Sequence, residues 1–371
     1  MQNPHSRFAG DTSYVIHFIS IGCALLAVFL TSCSADHSVQ RGAHLTDANS
    51  PVIKYSIIFV IHGDNDYLYH DSSGNKYKAN EKALTDAITV AEENPEAEVF
   101  IFHQKPKSHF LFFFPLRDGE FYYYRNGQRI ENKSYWRDQE ESDFDLEIQL
   151  YDQFRVIDQS KLINIFVYLG HEIPEINGAG YDLSYPDRPF TVDNIANALK
   201  SFSSGFSKFD LIILSTCYGG TPYTTGKLGS FARTIIASPD NLHLSYFDLS
   251  ALERLDISLH SNDVPAFAKN FAQQSFDKLT SSIQTVVSIA VYDIESVQDY
   301  LNSVNNEYKN KLMSLKDKTQ SSQAAMEHCD CIEIPAYQLS IISDGVEVFY
   351  RPARFGRLKN KESHSGWECW K

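Results

Sequence analysis

Apolar and polar positions along this chain follow two rhythms. Short continuous apolar runs occur at Tyr55–His62, Glu98–His103, Leu162–Leu169 and Phe209–Cys217, and most end at a loop signal such as Gly63-Asp64 or Tyr218-Gly219-Gly220. Runs of this length without alternation predict strands buried on both faces, as in a parallel sheet covered by helices. Between the first two runs, Ala83, Leu84, Ala87, Ile88 and Ala91 recur at helical spacing within residues 79–94. Between the last two, Thr191 is a good N-cap for a helix running to about Phe202. Strand, helix, strand in that order predicts right-handed crossover units and an α/β fold. Residues 109–136 alternate aromatic strands around Arg117-Asp118-Gly119 and Arg125-Asn126-Gly127, the signature of an inserted β-hairpin. Beyond about Leu259, Val264–Ile289 and Ser296–Leu315 read as surface helices and 332–350 as a terminal strand pair around Ser343-Asp344-Gly345. There is no internal repeat.

The N-terminal segment follows neither rhythm. Arg7 precedes the apolar run Tyr14–Leu30, and Thr31-Ser32-Cys33-Ser34 follows it, which reads as an export signal outside the fold. Leu30-Thr31-Ser32-Cys33 resembles the bacterial lipoprotein box, in which small residues admit the signal peptidase and the cysteine is diacylated to become the new N-terminus. An uncleaved anchor is the other reading, because the run approaches the roughly 20 residues that span a bilayer. Either places the remainder outside the cytoplasm and tethered to a membrane, at the periplasmic face or the cell surface. Residues 34–52 are polar and aperiodic, as a flexible tether is.

Composition narrows the classes. With 371 residues, 43% hydrophobic and 22% charged, the chain is globular and long enough for one large domain or two ordinary ones. Its net charge of −14 argues against nucleic acid as a partner, since phosphate binding draws on clustered Lys and Arg. The export reading also changes the cysteine count. Cys23 lies in the signal and Cys33 is the lipidation candidate, which leaves Cys217, Cys329, Cys331 and Cys369 in an oxidising compartment. Cys329 and Cys331 are too close for an easy mutual disulfide, so one of them is a candidate to pair with Cys369. No CxxC pair or zinc-type ligand spacing occurs. Cys217 is then the candidate for a free thiol with a chemical role.

Two strands are expected to deliver His171 and Cys217 at their C-terminal ends, where open α/β sheets bind ligands. A cysteine at a strand end followed by glycines presents its thiol at the sheet edge, with turn N–H groups available for an oxyanion. A histidine from a neighbouring strand supplies the acid/base that thiolate chemistry needs. His62-Gly63 is a second histidine at a strand end, read either as an alternative base or as a residue capping the strand. Asp64, Asn65 and Asp66 are candidate calcium ligands, since hard oxygen donors on adjacent turn residues suit that ion; they equally suit bonding to backbone groups. No other cofactor is called for.

The order strand-His, Gly-rich loop, helix, strand-Cys, with 217 − 171 = 46 positions between the two residues, resembles the caspase-like cysteine peptidases and, within them, the clostripain-like family. Tyr55–Leu68 is similar to that family's first strand and its turn. Residues 178–199 resemble the loop and helix between its His and Cys, and Phe209–Cys217 its nucleophile strand. Ile235–Asp240 and Val291–Val297 resemble later junctions, so the likeness runs over roughly residues 54–315. The resemblance implies a three-layer α-β-α sandwich with a mainly parallel central sheet, a β-hairpin insertion and a helical C-terminal extension. Its domain plan is a signal peptide (1–32), tether (33–52), catalytic domain (53–260) and packed extension (261–371). It implies Cys217 as nucleophile, His171 as acid/base, and the backbone N–H groups of Cys217 and Glu172 as the oxyanion hole. Some relatives are calcium-activated, and many are cleaved after a basic residue between His and Cys; here Lys208 is the best placed of Arg188, Lys200 and Lys208.

Two departures stand out. Glu172 occupies the position after the histidine where the family usually has Gly, and Ser215 stands where an Asp commonly helps bind a basic side chain. Asp240 and Asp248 are the remaining candidates for a specificity carboxylate. The expected function is a cysteine endopeptidase acting on peptides or proteins, with cleavage after Arg or Lys as the candidate specificity, and needing no cofactor. The alternatives are a lipid-anchored binding protein with a decayed site, for which the aromatic stretch 110–124 would suit a binding surface, and a thiol acyltransferase.

Overall fold

The computed structural model describes residues 51–111, 113–139, 144–156, 158–175, 177–257, 263–302, 344–356, 359, 364, 366 and 367. The signal, Cys33, most of the tether, and Cys329, Cys331 and Cys369 lie outside the described residues.

Every residue of β1 (Tyr55–His62) is buried, because the strand sits in mid-sheet with helices over both faces. A two-stranded ribbon, β2 (Leu68–His70) and β3 (Lys76–Lys78), leads into α1 (Ala79–Glu93) and then β4 (Ala97–Gln104). A second ribbon, β5 (Ser108–Phe110) and β6 (Phe114–Leu116), precedes the hairpin β7 (Gly119–Arg125) and β8 (Gln128–Tyr135). Next come α2 (Asp145–Phe154), β9 (Ile163–Leu169), α3 (Val192–Phe202), β10 (Phe209–Ser215), α4 (Pro222–Leu228) and β11 (Ala232–Ala237). The described chain closes with α5 (Asp263–Ser282), β12 (Val287–Asp293), a helical stretch at 294–302 and β13 (Val346–Arg351).

Nine strands form one sheet in the order β13-β12-β11-β10-β9-β1-β4-β7-β8. The five central strands β11, β10, β9, β1 and β4 are parallel, and both edges are antiparallel. The period of two along each strand divides the core between the faces. Ile58 and Val60 join Tyr151 of α2 and Ile195 and Leu199 of α3 on one side. Ile57, Phe59 and Ile61 join Ala87 of α1 and Phe271 of α5 on the other. The fold is thus the α-β-α sandwich that the resemblance implies. Among the described residues no helix is long and apolar enough to cross a membrane.

Three elements differ in detail from the sequence expectation. The helix expected over Val264–Ile289 stops at Ser282, and Val287–Ile289 open β12. Alternate residues Val287, Ile289 and Val291 of β12 are β-branched and suit a pleated surface, where β11 and β13 pair with the strand. The inserted aromatic region splits in two. Its hairpin β7/β8 extends the main sheet through a turn in which Asn126 and Gly127 both have positive φ, at 54° and 75°. Its first part, β5/β6, leaves Phe110, Phe113 and Phe114 exposed. Of the expected strand pair at 332–350, the part from Val346 is seen as β13, which adds to β12.

The chain's last described residue is part of the core. Trp367 is only 2% exposed and packs on Tyr292 and Tyr300, with ring centroids 4.6 and 5.2 Å away. Trp367→Ala is expected to cost about 3–5 kcal/mol, read as a lowered denaturation midpoint at unchanged m-value. A shift under about 1 kcal/mol would mean that this contact is not a core contact.

Candidate active site

Strand register brings the two expected residues to one sheet edge. β9 and β10 are adjacent and parallel, with Leu169 opposite Ser215, and two residues beyond that pair come His171 and Cys217. On the other side of β9, Ile61 of β1 stands opposite Leu169, so His62-Gly63-Asp64 leaves the sheet alongside Gly170-His171. Three neighbouring strands therefore converge their C-terminal ends on one site.

Cys217 is partly buried and free. The Leu242 N–H donates to Sγ at 3.2 Å, and the thiol lies 3.5 Å from the Leu242 carbonyl oxygen. Burial pushes the thiol pKa up; the Leu242 backbone offsets part of this, and the Glu172 carboxylate raises it further. The turn after the cysteine is tightly made. Tyr218 has a left-handed φ of 53° and donates its N–H to the Asp240 carbonyl at 3.0 Å. The Gly220 N–H reaches the Ser238 carbonyl at 3.0 Å, and a Cβ on Gly220 would lie 2.5 Å from Tyr292 Oη. Ser215, fully buried, accepts from the Phe247 N–H at 2.8 Å and so ties the strand to the 238–248 loop.

His171 packs over the ring of Tyr181 at 4.2 Å, and its Nε2 lies 3.5 Å from Asp64 Oδ1. The Asp64 side chain is completely buried, and its Oδ2 accepts from the Leu183 N–H at 2.9 Å. Burial alone would raise this carboxyl, but its interactions with His171 and the Leu183 N–H outweigh burial and hold it well below the usual carboxylate range. His62 lies beside His171 at 5.5 Å between ring centroids, stacked on Tyr181 and Phe190. Burial, helped by the charges of Arg137 and His171, lowers its pKa to about 4, so its imidazole is neutral.

The remaining candidates are placed as follows. Asp240 meets the turn after Cys217 through its backbone, while its carboxylate accepts from Ser288 Oγ at 2.8 Å and lies 3.2 Å from His364 Nε2. Asp248 caps the turn Leu249–Leu252 and pairs with Lys278 of α5 at 3.0 Å. Lys208 donates to the Gly229 carbonyl, and Arg188 to the Arg137 carbonyl. The acids considered for calcium do not converge. Asp64 turns to His171, Asn65 Oδ1 accepts from the Asp66 N–H, and Asp66 faces Lys78, so the three side chains build no oxygen shell.

Sequence reasoning placed Asp64 among calcium candidates and missed it as the neighbour of His171. The available signal was its place three residues after Ile61, on a strand adjoining that of His171.

The geometry has a counterpart in sequence comparison. The model of the clostripain family matches residues 167–347, a segment that includes both His171 and Cys217. Over that segment the chain is similar to the clostripain family of cysteine peptidases. No curated protein matches it. Among solved structures it is similar to a secreted cysteine protease from Bacteroides thetaiotaomicron in complex with an irreversible peptide inhibitor. That pair is 14% identical, with 70% of each chain covered and a TM-score of 0.47. It is also similar to an inactive zymogen protease from Parabacteroides distasonis, at 15% identity, 71% of this chain and 66% of the other covered, and a TM-score of 0.44.

At this site the Glu172 charge has a measurable consequence. Alkylation consumes the thiolate, so its rate should rise with pH through a midpoint above the ordinary thiol value of about 8.5. Glu172→Gln removes one of the charges that raise the thiol and should move that midpoint down, giving faster iodoacetamide labelling at pH 7. An unchanged midpoint would show that Glu172 does not act on Cys217.

Proposed function

We propose that the chain is an endopeptidase that uses Cys217 as nucleophile and His171 as acid/base. The observation carrying this reading is the register that sets both residues two positions beyond the paired Leu169 and Ser215. With the thiol pKa raised, the sulfur is protonated at neutral pH, so His171 takes the Cys217 proton as the S–C bond to the peptide carbonyl forms. The carbonyl oxygen becomes an oxyanion, received by the backbone N–H groups of Cys217 and Glu172. Collapse breaks the C–N bond, His171 returns the proton to the leaving amine, and water releases the acyl group from sulfur. Asp240 is the better candidate to favour Arg or Lys in substrates, since its backbone adjoins the nucleophile turn. Export and diacylation at Cys33 complete the reading, supported by Arg7, the apolar run and Leu30–Cys33. Cys33→Ser should then abolish metabolic incorporation of labelled fatty acid into the protein.

The deciding experiment is labelling with peptidyl acyloxymethyl-ketone probes carrying Arg, Lys, an acidic or an apolar residue. Labelling of wild type by the basic probes, lost in both Cys217→Ala and His171→Ala, supports the mechanism and the specificity together. Folded wild type that takes up none of the probes would instead favour a binding protein built on a decayed site.

A further inference from the structure

The proposed base His171 also belongs to a cluster of possible metal ligands. One ligand atom each from His62, Asp64 and His171 lies within 4.8 Å of the others. The His62 side is built in a way that a merely capping histidine does not require. Its Nδ1 is 2.8 Å from Gln104 Oε1, an acceptor, so Nδ1 carries the proton and Nε2 keeps its lone pair. Gln104 is itself held, donating from Nε2 to Glu147 Oε1 at 2.9 Å. Histidine metal ligands are oriented by this kind of outer hydrogen bond. Meanwhile His62 Nε2 is a buried atom with no hydrogen-bond partner among the described residues, and Asp64 Oδ1 and His171 Nε2, also buried, meet each other only at 3.5 Å, too far for a good hydrogen bond. Unpartnered lone pairs on a residue as buried as His62, 3% exposed, are costly unless something binds them.

We propose that His62, Asp64 and His171 form a zinc site whose occupancy switches the peptidase off. This regulation rests on the reading of His171 as acid/base. Two imidazoles and one carboxylate are a zinc-type donor set, with a fourth position left for water, and they are a poor set for calcium. The local charge suits a cation. Arg137, the nearby positive group, is paired with Asp182 and not with Asp64, whose carboxylate stays available to a cation. His171 is the least buried of the three, with 27% of its side chain exposed, and gives the ion its way in. Zinc on His171 Nε2 leaves the ring proton on Nδ1. A ring in that state has no nitrogen free to accept the Cys217 proton, so the metal blocks the first step without touching the thiol. The ligands come from two adjacent strand ends, 171 − 62 = 109 positions apart, so a search for local ligand spacing does not find them.

Cobalt(II) reports the site independently of activity. Titrated into the full chain, it should give the strong visible absorption of a four-coordinate N/O site at one equivalent, with no thiolate charge-transfer band, and zinc should displace it. The signal should persist in Cys217→Ser and weaken at least tenfold in affinity in His62→Gln. Wild type in which cobalt stays six-coordinate overturns the proposal without recourse to any variant, as does a thiolate band or undiminished binding in His62→Gln. In the second arm, zinc should slow probe labelling of wild type at least tenfold relative to chelator-treated protein. The corresponding ratio for His62→Gln should be several-fold smaller. Equal ratios overturn the regulatory role. Wild type that binds cobalt as described but takes no probe in chelator supports the metal site while sinking the peptidase reading on which the regulation rests.

Discussion

Cys217→Ala is expected to lower kcat/KM for a fluorogenic peptide by about 10⁴-fold or more, equivalent to roughly 5.5 kcal/mol of transition-state stabilisation. The size follows from what is removed. The methyl group of alanine can form no acyl-enzyme, and what remains is binding plus whatever the backbone N–H groups do for a water attack. The loss should come with little change in stability, because the Sγ contacts are one N–H donor at 3.2 Å and one carbonyl at 3.5 Å, both from Leu242. Thermal unfolding of the variant separates the two effects. Activity within tenfold of wild type, in protein with an unchanged melting temperature, would remove Cys217 from the mechanism. Cys217→Ser is the informative companion. It keeps a nucleophile of similar shape, but its hydroxyl ionises far less readily than a thiol, so it should stay close to the alanine variant.

Much of this site was legible in the sequence because chemistry here follows strand ends. The apolar runs Leu162–Leu169 and Phe209–Cys217 stand in the structure as β9 and β10, which differ from those runs by one or two residues at their ends, and the residues just past them meet at one edge. Continuous burial made those strands recognisable, since a strand covered on both faces cannot alternate. The edges were less legible. The continuation of Val287–Ile289 as a strand depends on β11 and β13 being there to pair with it, a non-local contact that no local helical period records. Asp64 shows the same limit at the level of chemistry. Three polar residues in a row suggested a shared ligand, but their side chains diverge to His171, to the local backbone and to Lys78. The partner of Asp64 is set by which strands lie side by side, and strand order is a property of the whole sheet.

Asp64→Asn tests that partnership, and its expected effect is a fall in kcat of about 10²–10⁴-fold with KM nearly unchanged, the scale seen when the orienting carboxylate of a catalytic histidine becomes an amide. The argument turns on the hydrogen-bond donors. In wild type, Oδ2 accepts from the Leu183 N–H, and the ionised Oδ1 faces His171 Nε2, which favours the proton on that nitrogen. Nδ1 is then the nitrogen free to take the Cys217 proton. Asparagine must still offer its oxygen to the Leu183 N–H, so its NH₂ group turns to Nε2 and donates. The His171 proton moves to Nδ1, and the ring can no longer act as base toward the thiol. Substrate contacts are untouched, hence the constant KM. The assay belongs in chelator, so that occupancy of the His62–Asp64–His171 cluster does not enter. Loss of KM and kcat together, or loss of both with a large drop in melting temperature, would mean that Asp64 serves the fold alone. A variant retaining more than a tenth of wild-type kcat would mean that His171 needs no orienting carboxylate.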